Sequence, residues 1–296
     1  MRATQGSPLR YNVVAASLLR SPSSDTLAAA AVSVLTAADP ADKVALSRRA
    51  AADWRAGTIA EIGAATPPAR PARPERPLLL PPRDMPRRRA GGSAAGRVAL
   101  LHALAHIELN AIDLAWDIVA RFAAGPDELP RAFFDDWVRV ADEEAKHHSA
   151  LASRLAALGA AYGDLPAHDG LWQASEETAL DLLARLAVVP LVLEARGLDV
   201  TPDMIERLDR LGDPESASVL RMIYEDEIGH VATGRRWFER VCAARGGLPP
   251  VETYHALVRR HFRGQLKPPF NTRAREQAGF SASFYEPLAA AAGASV

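Results

Sequence analysis

The chain has 296 residues, 48% of them apolar, and a formal net charge of −1, so it has room for one large domain or two ordinary ones and no charge excess pointing to nucleic acid or an anionic membrane surface. Its single cysteine, Cys242, excludes an internal disulfide framework and any four-cysteine zinc or iron–sulfur site. Heavy use of alanine, with modest β-branched and aromatic content, favours helices over sheets.

Residues 1–24 contain no acid and carry Arg2, Arg10 and Arg20, a faint likeness to an organelle transit peptide. Their apolar part, YNVVAASLL, is short and no small-residue cleavage pattern follows. We expect a flexible N-terminus there. No uninterrupted apolar run approaches the roughly 20 residues of a membrane span, so we expect no membrane partner and a cytoplasmic protein. Residues 25–60 read as two short helices split at ADPADK, where Asp39–Pro40 ends one and starts the next. The stretch TPPARPARPERPLLLPPRDMPRRR, residues 66–89, is too rich in proline for helix or central strand. Its acids and prolines are interleaved with the arginines, which favours an extended arm strapped across the protein over an RNA-binding segment.

From residue 93 the texture changes, and residues 93–245 form the expected four-helix bundle. Four long segments have helical periodicity: 95–123, 129–159, 174–197 and 213–244. Between the last two, Thr201 and Pro202 look like the N-cap and first turn of a separate short helix. Residues 246–296 read as a C-terminal extension: a helix from PPVETYHALVRRHF, then GQLKPPFNTRAREQAGF as a tail loop leading into small helices. The fold class is therefore all-α, a four-helix bundle with added N- and C-terminal helices and a Pro/Arg-rich arm.

The apolar stripes of the four helices are interrupted at matching depths. The first runs Leu101, Leu104, Glu108, Ile112, Ala115; the second, Trp137, Val140, Glu144, His147, Leu151; the third, Leu183, Leu186, Pro190, Glu194; the fourth, Leu220, Ile223, Glu227, His230, Gly234. Three residues along a helix advance about 4.5 Å and return to nearly the same side, so each Glu-x-x-His pair can reach one point. The second set repeats the first, offset by 86 residues for Glu108 to Glu194 and by 83 for the two Glu-x-x-His pairs, which implies two pseudo-symmetric helix pairs. One inward acid is commonly a salt bridge, and one Glu-x-x-His arises often by chance. Four acids and two histidines together are different, because burying four uncompensated carboxylates costs several kcal/mol each or forces their protonation. Two divalent cations cancel that charge while neutral imidazoles complete the coordination. Oxygen and nitrogen donors without thiolate suit iron or manganese.

This order of acids and histidines resembles the ferritin-like superfamily of di-iron and di-manganese carboxylate bundles. The resemblance is closer to its bacterial branch called domain of unknown function 455. It is carried by HALAHIELNAIDLAWD, ADEEAKHHSALASRLAALGAAYGDLPAHDGLW, VVPLVLEARGLDVTP, EDEIGHVATGRRWF and LKPPFNTRAREQAGF, and covers most of the chain from about residue 25. It implies two iron ions, with manganese or a mixed pair open, held by Glu108, Glu144, His147, Glu194, Glu227 and His230. It implies no substrate. In related proteins the acid before the ligand Glu binds a histidine across the site, which here points to Glu143 and Asp226. His148 reads as a flank residue, and His102 and His106 as polar packing. Tyr224 reads as an ordinary bundle tyrosine, with a redox-active phenol as the alternative. Pro190 should kink the third helix one turn before Glu194.

The expected function is a di-iron oxidoreductase activating dioxygen or peroxide, of hydroxylase or oxidase type, with an unknown small-molecule substrate and an external electron donor. A rubrerythrin-like peroxidase is weaker because no four-cysteine domain is present, manganese catalase stays open, and iron storage is disfavoured by the long arms. The competing class is a metal-stabilised binding or scaffold protein, linked to RNA through the arginine-rich arm.

Overall fold

The computed structural model describes residues 25–81, 84–85 and 93–292. The expected flexible N-terminus and the arginine cluster at 87–89 lie outside the described residues. Among those described, the regular elements are helical throughout, with two isolated β-bridges.

Helices α1 (Leu27–Thr36) and α2 (Pro40–Arg55) meet where expected. Asp39 caps α2 by accepting from the amides of Ala41 and Asp42, with Pro40 at the first helical position. The bundle follows with α3 (Ala94–Phe122) and α4 (Arg131–Ala157), then a short α5 (Gly170–Glu177). The third long helix is one run of three parts: α6 (Leu182–Val188), a π-helical segment (Val189–Glu194) and α7 (Ala195–Arg210). It is followed by α8 (Pro214–Ala244), whose N-cap Asp213 accepts from the Ser216 amide. Helices α9 (Pro250–His261), α10 (Thr272–Gln277) and α11 (Ala282–Ala292) complete the chain.

Two expectations about the third helix need correction. It starts at Leu182, because Asp181 caps it by accepting from the Leu183 amide, so residues 174–177 belong to α5. It also runs through Thr201 and Pro202 instead of restarting there. Proline cannot donate to the carbonyl four residues back, but the Leu198 carbonyl finds a donor elsewhere, in Asn271 Nδ2 at 3.1 Å. A side chain from the tail therefore makes proline tolerable inside the helix. At Pro190 the expected irregularity takes the form of a π-helical segment, one of whose carbonyls, that of Leu191, accepts from the Tyr254 hydroxyl at 3.1 Å.

The core has two main apolar clusters. One, built from Leu101 and Ala105, Leu151 and Leu155, Ile205 and Leu208, and Leu220 and Ile223, draws on all four bundle helices. The larger one holds the other halves of the same helices together with α1, α2 and the C-terminal aromatics. Glu108, Glu144 and Glu227 fall between them along their helices, while Glu194 lies within the stretch of its helix that packs into the larger cluster, so a polar layer adjoins apolar packing. Helix α3 bears on the membrane expectation. By length and mean hydropathy it could cross a membrane, yet 67% of its apolar window is buried inside the protein.

The arm lies strapped across the surface over residues 66–81. The Ala72 amide donates to Leu35 O at 2.8 Å, and Leu80 and Ala167 pair backbone to backbone at 2.8 Å. Arg70 reaches Asp169 and Glu176, and Arg73 reaches Asp113 and Asn110.

Gly234 lets α8 approach the π-helical segment, since a Cβ there would lie 2.4 Å from Pro190 Cβ. Gly234→Ala should destabilise the protein by about 1–3 kcal/mol, read as a fall in thermal midpoint. An unchanged midpoint would show that the two segments separate freely.

Candidate metal centre

Glu108, Glu144, His147 and His230 are buried. Glu108, Glu144, His147 and Glu227 each bring one potential ligand atom into a group whose members all lie within 4.8 Å of one another. His147 Nδ1 is 3.2 Å from Glu144 Oε2 and 3.3 Å from Glu108 Oε2. His230 Nδ1 is 3.0 Å from Glu144 Oε1 and 3.8 Å from Glu227 Oε2. Glu144 thus stands between the two imidazoles with one oxygen toward each. The rings themselves are 5.8 Å apart, centroid to centroid. Glu194 stands at the edge of the group, close enough to feel the charges of Glu227, His230 and Glu144.

The far nitrogens are anchored across the bundle. His147 Nε2 donates to Asp226 Oδ2 at 2.9 Å, and His230 Nε2 donates to Glu143 Oε2 at 2.8 Å. Each histidine is therefore held by the acid that precedes the inward Glu of the opposite Glu-x-x-His helix. Two cations back up these acids: Lys146 pairs with Asp226, and Arg139 donates to Glu143 at 2.8 Å. Sequence analysis assigned neither cation. Arg139 lies four residues before Glu143, a helical ion-pair spacing that could have drawn notice. Lys146 has its partner eighty residues away, and no local signal marks it.

The neighbouring polar residues have other work. His102 Nε2 accepts from the Gly163 amide at 2.9 Å. His106 binds the Tyr162 hydroxyl and the His168 carbonyl. His148 is more than a flank residue: it is buried and donates to the Ala105 carbonyl at 2.9 Å. Tyr224 accepts from Asn271 at 2.9 Å, tying the tail to α8.

The electrostatics are those of an overcrowded anionic cage. Burial raises Glu108, Glu194 and Glu227 above the usual carboxylate range, and the nearby charge of Glu144 or Glu227 adds to the effect. Glu144 goes the other way. Burial opposes its ionisation, but His230 and His147 together hold it well below the usual range. Burial likewise opposes a proton on His147, yet Asp226, Glu108 and Glu144 outweigh it and lift the imidazole to about 11; His230 is raised for the same kind of reason. In the metal-free chain, protons do the neutralising.

The donor set could hold a metal ion. Glu144 Oε1, Glu194 Oε2, Glu227 Oε2 and His230 Nδ1 are buried with no hydrogen-bond partner. Glu144 Oε1 and His230 Nδ1 are 3.0 Å apart yet poorly aligned for a hydrogen bond, an arrangement of neighbouring donors that a shared cation would satisfy. Buried orphans of this kind call for a partner.

The family described as "Protein of unknown function (DUF455)" matches residues 36–286. The chain belongs to this family. A relative from Haemophilus influenzae (strain ATCC 51907 / DSM 11121 / KW20 / Rd), described as "Uncharacterized protein", is 43% identical over 211 residues, covering 70% of this chain and 73% of its own. No solved structure matches.

In this family member, Asp226→Asn and Glu143→Gln should each weaken metal binding by about 10–100-fold, measured by chelator competition, with helicity retained. The exposed Glu225→Gln serves as control, and equal loss there would remove the anchoring role. A second expectation follows from the proton on His147. A metal ion must displace it, so affinity should rise with pH across roughly pH 6 to 9 with net proton release. Calorimetry in buffers of different ionisation enthalpy measures that release, and a pH-independent affinity would contradict it.

Proposed function

We propose that the chain is a ferritin-like dinuclear metal oxidoreductase, with two iron ions as the favoured pair, acting as a hydroxylase or oxidase on a small organic molecule with an external electron donor. The observation that supports this is the meeting of Glu108, Glu144, Glu227, His147 and His230, with Glu194 near enough to feel their charges, each histidine turned Nδ1-inward by an acid from across the bundle. Glu108, Glu144, Glu194 and Glu227 would supply oxygen ligands, and His147 and His230 one nitrogen each. Two reduced iron ions so held would supply electrons together to dioxygen or peroxide.

The chain's own groups do the rest. Asp226 and Glu143 fix each imidazole's orientation and raise its basicity. The histidines hold Asp226 and Glu143 below the usual carboxylate range, and Lys146 and Arg139 add to that, so the acceptors stay ionised. The two apolar clusters above and below the layer limit water, which strengthens every charge interaction within it. The alternative, a metal-stabilised scaffold linked to RNA, finds less support in the arm, where Arg70 and Arg73 are held by intramolecular acids.

Protein purified without chelator from iron-supplemented cells should carry close to two metal ions per chain, and the reduced form should take up oxygen faster than free ferrous iron. Glu108→Ala and Glu194→Ala should lose the pair while staying helical, and His102→Gln should keep it. Absence of metal would sink the site. Metal without oxygen or peroxide consumption would favour the scaffold.

A further inference from the structure

The tail GQLKPPFNTRAREQAGF takes no part in the metal centre. It folds against the π-helical segment and α7, closing a cavity of about 310 Å³ between them. Val192, Leu193, Arg196 and Asp199 line this cavity, whereas Glu194 turns toward the metal layer. Two separate sites thus share one helical wall.

The lining is divided by chemistry. Leu193, Phe262, Leu266 and Phe270 make an apolar side. Arg196, Lys267 and Arg275 bring three cations against a single acid, Asp199. That acid is already taken: it accepts from Arg275 Nε at 2.9 Å, from Arg275 Nη2 at 2.8 Å and from the Asn271 amide at 2.9 Å. Arg196 lies 3.5 Å from Asp199 and donates Nη1 to the Lys267 carbonyl at 2.7 Å. No ion pair of the Lys267 ammonium occurs among the described residues. Arg275 is 3% exposed, and its Nη1 is buried with no hydrogen-bond partner. Its guanidinium cannot readily swing away, because Tyr285 and Phe270 hold it at 4.4 and 5.0 Å from their ring centroids.

We propose that this cavity binds a small amphipathic anion, its carboxylate or phosphate head against Arg196, Lys267 and Arg275 and its hydrocarbon body against Leu193, Phe262 and Phe270. A cation would meet like charge. A neutral apolar molecule would leave the excess of positive charge from Arg196, Lys267 and Arg275 over Asp199 unanswered, and a bare inorganic anion would leave the apolar side unfilled. Charge-assisted hydrogen bonds from arginine select a planar or tetrahedral oxyanion head. The site rests on its own lining and stands whether or not the metal reading does.

Calorimetric titration of the full chain, metal-loaded and metal-free, with octanoate, octyl phosphate and 1-octanol tests this. At least one anion should bind with one-to-one stoichiometry, about tenfold or more tighter than octanol, in both metal states; the stronger anion identifies the head group. The double variant Arg196→Gln/Lys267→Met changes two exposed side chains and should weaken anion binding by about tenfold with an unchanged circular dichroism spectrum. Leu266→Trp, which fills the cavity from the tail, should abolish binding without loss of metal. The proposal is overturned if neither anion binds, if octanol binds as well as both, if the double variant binds like the parent, or if binding disappears with the metal.

Discussion

A layer of four carboxylates and two imidazoles between two apolar clusters holds only if its charges are cancelled. Bringing an ion out of water costs several kcal/mol even after relaxation, and here Glu108, Glu144, His147 and Glu227 have ligand atoms within 4.8 Å of one another, with His230 and Glu194 beside them. The metal-free chain meets that requirement with protons: raised Glu108, Glu194 and Glu227, a suppressed Glu144, and imidazoles that keep their charge far above neutrality. Cations of the right charge would do the same with better geometry, since protons leave four buried donor and acceptor atoms unanswered. The outer acids and their cations follow from the same constraint. The side chains of Asp226 and Glu143 are 25% and 24% exposed, where the histidines they hold, backed by Lys146 and Arg139, keep them ionised.

The helix that carries Glu194 pays for its irregularity through contacts distant in sequence. Pro190 packs where α8 has only Gly234, and Pro202 continues the helix because Asn271 answers the Leu198 carbonyl. Asn271 also holds Tyr224, while Arg275 clamps Asp199. The tail is therefore a brace for α7 and α8 as well as a wall of the cavity. The arm plays a comparable part on the opposite helices. Arg73 joins Asp113 on α3, which Lys43 of α2 also reaches from the protein interior at 2.5 Å.

The bundle and the convergence of the four stripes were legible because they depend on local periodicity. A Glu on an apolar stripe followed three residues later by His needs no knowledge of the partner helix. The acids holding each histidine could be named from the resemblance, since they sit next to the inward Glu. What escaped was everything whose physical cause is far along the chain. The Thr201–Pro202 pair has every local mark of a helix start, and only Asn271 reverses it. Lys146 has no local mark, because its partner Asp226 lies eighty residues away. His148 was placed on the flank by its angle, but another helix covers that flank. Helix α3 has no long apolar run because histidines and acids interrupt it, while its mean hydropathy is that of a largely buried helix.

The centre is nearly symmetric in its histidines and asymmetric in its remaining acids. Each imidazole has one acid anchor and one cation behind it, and both rings are fully buried. Glu108 rides on a regular helix and is almost wholly enclosed, with a side chain 5% exposed. Glu227 is 13% exposed, and Glu194, on the π-helical segment, is half-buried as a residue although its Oε2 is not accessible. The wider π turn and the glycine opposite it thus coincide with the least enclosed acids of the layer. On the α3 side, His148 of α4 donates to the Ala105 carbonyl and ties the helix that carries Glu144 and His147 to the one that carries Glu108.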